Sequence, residues 1–180
     1  MQRAIKYLAN ALLTAVIFTS CGDNVSLQRY YVDNQESKNF ISQDLPLSLI
    51  ELDKSNFTEA QKEAYNSVNK LNFLGYKVNE TDTETYLAEF AKVKTILSDS
   101  KYNGLMEFSD KGNKISVKYI GTDEEADEVI VFGSAKDMGF GIVRILGDDM
   151  NPDKMVTLIS AFQNANIEEG QIENIMNYFK

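Results

Sequence analysis

Four apolar runs between Met106 and Leu146 constrain the fold of this chain more than any other feature. Met106 and Phe108 alternate with polar neighbours, and Ile115, Val117 and Tyr119 do the same. That period of two belongs to strands with one face buried. Asp110-Lys111-Gly112-Asn113 between them is turn chemistry. Val129-Ile130-Val131-Phe132 and the stretch Ile142 to Leu146 are nearly continuous apolar runs, which places them at the centre of a sheet. Gly133 to Gly139 reads as the hairpin loop joining those two. These residues predict an antiparallel sheet.

Helical signals surround it. Ser26 to Val32 reads as a short helix, Phe40 to Asp44 as a short strand, and Pro46 to Leu52 as a helical turn or loop. Thr58 and Gln61 form a capping box, with Ala64, Val68 and Leu71 following at helical spacing. Leu74, Tyr76 and Val78 alternate, so Leu71 to Val78 is expected to be extended. Thr81 with Glu84 reads as a second capping box opening a long helix with the stripe Tyr86, Phe90, Val93 and Leu97, and Gly104 marks its end or that of a short helix after it. Asn151 as N-cap and Pro152 at the first helical position start another helix, with Met155, Leu158, Ile159 and Phe162 facing inward. A last amphipathic helix carries Ile172, Ile175, Met176 and Phe179. The expected fold class is α+β: an antiparallel sheet of four or five strands with helices packed over one face, in a single domain spanning 27–180.

Composition narrows the chemistry. The 180 residues hold 18 Lys+Arg against 27 Asp+Glu, no His and one Cys. Without His, neither a Cys/His zinc site nor a Ser-His-Asp or Cys-His relay can be built. An excess of negative charge repels phosphate backbones, so nucleic acid is not an expected partner. A content of 43% hydrophobic and 11% aromatic residues is enough for a core. No cofactor motif is present: Gly139-Phe140-Gly141 lacks a third glycine and runs into a strand rather than a helix.

The N-terminus reads as an address. Arg3 and Lys6 make a positive start, Tyr7 to Phe18 is apolar apart from Asn10 and Thr14, and Thr19-Ser20 precede the sole cysteine. The apolar run suits a cleaved signal of about 7–15 residues rather than a spanning helix of about 20. Thr19-Ser20-Cys21-Gly22 resembles the lipobox of bacterial prolipoproteins, with Phe18 where those leaders usually have Leu. That resemblance implies cleavage before Cys21, a diacylglycerol on its thiol and acylation of the new amine. It divides the chain into a signal peptide (1–20), a lipidated tether (21–26) and the globular domain (27–180). The membrane is then a partner through the lipid, palmitate included, and the location is the bacterial cell envelope. Lipidation also accounts for an exported chain having one unpaired cysteine.

Two acidic groups are candidate binding residues. Asp149-x-Asn151-x-Asp153 matches the first ligand positions of a calcium loop, but Lys154 stands where the loop needs Gly and Ser160 where it needs Glu. A strand-to-helix turn explains the motif, leaving Asp148 and Asp149 as candidates for a weak cation site. Asp123-Glu124-Glu125 with Asp127 and Glu128 reads as a solvated turn, or as a patch for a cation or partner. Paired carboxylates also serve glycoside hydrolysis, but nothing in the sequence selects a pair. Of the aromatics Tyr30, Tyr31, Phe40 and Phe57, most are expected in the core, and any left exposed would be anchors for a partner.

The run Ser26-Leu-Gln-Arg-Tyr-Tyr-Val-Asp-Asn34, the run Phe40-Ile-Ser-Gln-Asp-Leu-Pro46, and the later Val129-Ile-Val-Phe and Gly139-Phe-Gly-Ile-Val-Arg-Ile-Leu-Gly-Asp-Asp149 resemble Bacteroidota lipoproteins of domain-of-unknown-function family 4252. The resemblance implies export, lipidation and one domain, and carries no catalytic or ligand residues. The expectation is a non-enzymatic envelope lipoprotein that binds another protein. Binding of a cation or small ligand is the alternative, and carboxylate-dependent hydrolysis of envelope glycans a third.

Overall fold

The computed structural model describes residues 25–46, 54–79, 81–110, 112–135, 137–163, 175 and 177–179. Cys21, the leader, the segment 47–53, and Ile172 and Met176 of the expected last helix lie outside them; residues 175 and 177–179 are helical.

The described chain runs α1 (Leu27–Asn34), β1 (Phe40–Pro46), a 3-10 turn (Lys54–Asn56), α2 (Glu59–Ser67), β2 (Val68–Lys77), α3 (Thr83–Leu97), β3 (Asn103–Asp110), β4 (Asn113–Gly121), β5 (Ala126–Ala135), β6 (Gly139–Met150) and α4 (Pro152–Gln163). The class is α+β, as expected. The six strands form one open sheet in the order β1-β2-β6-β5-β4-β3, with every pair antiparallel. Six strands replace the expected four or five because β2 reaches across the sequence to pair with β6, aligning Leu74 with Ile142 and Tyr76 with Phe140. Local periodicity carries no record of such a pairing.

Helices cover both faces of the sheet, not one. Along β5 and β6 successive side chains point to opposite sides. Ile130, Phe132, Phe140 and Ile142 join Leu74 and Tyr76 in a core with Leu27, Tyr30 and Tyr31 of α1 and Val93, Ile96 and Leu97 of α3. Val129 and Ile145 join Val117 and Tyr119 in a second core with Ala64 of α2 and Met155, Leu158 and Ile159 of α4. A strand apolar at consecutive positions needs cover on each side, and the two helical layers supply it.

Local signals set most element ends. Ser26 caps α1 by accepting from the Arg29 N–H, and Thr58 and Gln61 form the expected capping box at α2. Asn151 accepts from the Lys154 N–H at 3.0 Å, so α4 begins as its sequence predicts. The second expected capping box does not form. Asp82 is the N-cap of α3 without a side-chain bond, and Thr81 instead turns back to donate to Asn79. Gly104 lies within β3 rather than at a helix end, and β5 extends through Ala135, shortening the hairpin loop to 136–138.

Candidate functional site

On the face under α3 the sheet changes character from centre to edge. Over β2, β6 and β5 its side chains are large and apolar, and they meet α3 through a connected group of rings. Phe90 is 5.7 Å from Phe132 and 6.2 Å from Phe140, Tyr86 stacks on Phe90 at 5.9 Å, and Tyr76 stacks on Phe140 at 5.6 Å. Farther out, β4 presents Lys114, Ser116 and Lys118 on the same face, at strand spacing. The edge strand β3 sets Glu107 opposite Ser116 and Ser109 opposite Lys114.

Polar side chains of this kind hold no helix over them. Between α3 and β3–β5 the structure therefore has an open groove of about 650 Å³. One wall is Tyr86, Phe90 and Lys94 of α3, which share a helical stripe at intervals of four. Phe132 forms part of the base, and Lys114 and Lys118 line the other wall. Lys118 donates to the Tyr102 carbonyl at 3.3 Å, and the Lys94 ammonium lies 5.8 Å from the centre of the Phe90 ring. Among the described residues none of these three lysines has an ion pair, whereas Arg29, Lys62, Lys92 and Lys154 each pair with a carboxylate.

A second polar group lies on the same face under α1, and it is closed. Arg144 of β6 grips Glu128 of β5 with two bonds, Nε to Oε1 at 2.6 Å and Nη2 to Oε2 at 2.9 Å, and both residues are buried. Hydrogen bonding to Glu128 raises the Arg144 pKa. The Arg144 guanidinium also lies 5.9 Å from the centre of the Tyr31 ring. The Tyr31 hydroxyl is 2.8 Å from Ser42 Oγ and 3.0 Å from the Phe73 carbonyl, and Asn72 donates to Asp44 beside it. The buried charges of Arg144 and Glu128 satisfy each other, and Asp44 is held by the neutral donors Asn72 and Tyr31, so the network is closed on itself.

The acidic candidates separate. Glu128 leaves the expected solvated turn and becomes the buried partner of Arg144, because it falls on the α1 side of β5. Asp123 stays in the β4–β5 turn and accepts from the Tyr119 hydroxyl at 2.5 Å. Asp148 and Asp149 belong to β6 rather than to a turn after it. Asp148 accepts from Asn69 at 2.8 Å, and Asp149 has a left-handed φ of 54°. No cluster of three potential metal-ligating residues occurs among the described residues. Tyr30 and Tyr31 are buried, and Phe40 and Phe57 pack against the two cores.

The groove is absent from the sequence reading. Phe90 and Tyr86 were legible as a helix stripe, but only the pairing of β4 with β5 sets Lys114 and Lys118 across from them. The one cue in the sequence is the polar alternate face of β4, lysine-serine-lysine at every second position, in a strand otherwise built for a sheet.

The family described as "Domain of unknown function (DUF4252)" matches residues 30–158. No curated protein and no solved structure matches the chain.

Proposed function

The chain belongs to the DUF4252 family, and we propose that it serves there as a non-enzymatic binding domain of the cell envelope, held to a membrane by a lipid on Cys21. The observation that carries the binding role is the groove between α3 and β3–β5: concave, of ligand size, and lined by the rings of Tyr86, Phe90 and Phe132 and by three lysines that have no ion pair among the described residues. The tether rests on the Thr19-Ser20-Cys21-Gly22 pattern and on the apolar run before it. Among the described residues no helix is long and apolar enough to cross a membrane. Several acyl chains at about 0.8 kcal/mol per buried CH₂ hold a domain firmly.

Two measurements test the two halves of this reading. The intact mass of membrane-extracted protein should show an N-terminus at Cys21 with acyl mass added, lost in Cys21→Ala; an unacylated chain released from the membrane removes the tether. For binding, the Cys21→Ala chain is melted with and without a protein-free, low-molecular-weight extract of the envelope. A ligand selective for the native state raises the midpoint, and Ser116→Trp, which fills the groove, should abolish the rise. A rise that survives Ser116→Trp places binding elsewhere.

A second reading has its own observation. Among the described residues the outer edge of β3 has no strand partner in the sheet, and Phe108 on it is 55% exposed. An edge of that kind accepts an extended segment of another protein. The absence of any midpoint rise with the extract would favour this protein partner over a small ligand.

A further inference from the structure

We infer that the groove takes a small organic anion with a flat, aromatic body; the inference rests on the binding reading above and names the ligand class. The first ground is charge. In a chain with a net charge of −9, four surface cations among the described residues pair with carboxylates: Arg29 with Asp33, Lys62 with Glu59, Lys92 with Glu89, Lys154 with Glu63. The groove gathers three lysines that have no ion pair, Lys94, Lys114 and Lys118, against a single carboxylate, Glu107. A concave site of one sign focuses its field and draws the opposite charge into it, even on a molecule of the wrong overall sign.

The second ground is shape. Across from Lys114 and Lys118 the groove is lined by the rings of Tyr86 and Phe90, with Phe132 in its base, and a planar π-system adds favourably to such rings in stacked or edge-on geometry. Ser109, Ser116 and Ser134 offer hydroxyls between the two walls, suited to hydrogen-bonding the oxygens of a carboxylate, sulfonate or phosphate. At about 650 Å³ the space matches a small molecule. A bilayer surface is a poor occupant, since the acidic remainder of the molecule is repelled by anionic headgroups.

The test uses the full Cys21→Ala chain, free of acyl chains that would themselves take up a dye. The probe is 8-anilinonaphthalene-1-sulfonate, an aromatic anion, beside N-phenyl-1-naphthylamine, the same ring system without the sulfonate. The expected result is saturable one-to-one binding of the anion, weaker at high salt, with the neutral dye bound about tenfold more weakly or less. Lys94→Gln/Lys114→Gln should weaken the anion about tenfold and leave the neutral dye unchanged. Both lysines are exposed, so the urea midpoint of that variant should equal the parent's, which keeps the comparison one of binding alone. Equal affinity for the two dyes, or a double variant that binds the anion as well as the parent, overturns the charge assignment. Binding to phosphatidylglycerol vesicles that competes with the anion reassigns the groove to a membrane headgroup. A midpoint rise with envelope extract that persists while the dye results fail separates a wrong ligand class from a wrong binding site.

Discussion

At the scale of single residues, the Arg144–Glu128 pair is where the molecule is least tolerant. Both groups are buried and doubly bonded to each other, so deleting one strands the other's charge in the core. Arg144→Ala should lower unfolding free energy by about 3–5 kcal/mol, whereas Arg144→Met/Glu128→Leu, which removes both charges and keeps the volume, should cost far less. Urea unfolding of the three proteins decides it, and equal losses would mean that packing, not charge, is what Arg144 supplies. Tyr30 makes a prediction in pH. Burial, and then a hydrogen bond from its hydroxyl to Glu89 at 2.9 Å, push its pKa upward from 10.0; burial also raises Tyr31, Tyr76 and Tyr86. The folded chain therefore keeps phenol protons that the unfolded chain releases once the pH passes about 10. Stability from this source is complete below that pH and declines above it. Urea midpoints at pH 9 and pH 11 should show a fall that is smaller in Tyr30→Phe; an identical fall would remove Tyr30 from the account.

At the scale of elements, the two glycines around the β5–β6 hairpin have opposite roles. Gly139 has φ +126°, and a Cβ there would run into the Tyr76 carbonyl of the neighbouring strand, while Gly133 faces open space with ordinary strand geometry. Gly139→Ala should cost about 1–3 kcal/mol, and Gly133→Ala should be neutral or slightly stabilising; paired thermal melts check both. The same contrast explains what the sequence could and could not disclose. Elements stated by adjacent residues were legible: the Thr58–Gln61 box, the Asn151-Pro152 start, the Tyr86-to-Leu97 stripe and the paired strands on either side of Gly112. What needed distant partners was not. The join of β2 to β6 made the sheet wider than expected. The burial of Glu128 depends on an arginine sixteen residues away, and the groove depends on a helix crossing above a strand that begins more than fifteen residues after that helix ends. The continuous apolar character of Val129–Phe132 and Ile142–Leu146 does call for cover on both sides of the sheet.

At the scale of the whole molecule, architecture predicts how its halves depend on each other. The first two strands pair with each other, but a two-stranded ribbon is marginal alone. A chain ending at Met138 should therefore show little cooperative melting by circular dichroism, and a sharp transition in that fragment would show that β1–β5 suffice. The reason lies in β6. It is bonded to β2 on one side and β5 on the other, and its Phe140 and Ile142 enter one core while Ile145 and Met150 enter the other. Yet it occupies residues 139–150, late in the order of synthesis. A ribosome delivers the N-terminal strands first, into a state in which their permanent neighbour does not yet exist. Most of the polypeptide thus remains threadable until that strand emerges, and then both layers close together. Were residues 1–20 to act as the proposed leader, the same delay would keep the chain threadable until late in its passage across a membrane.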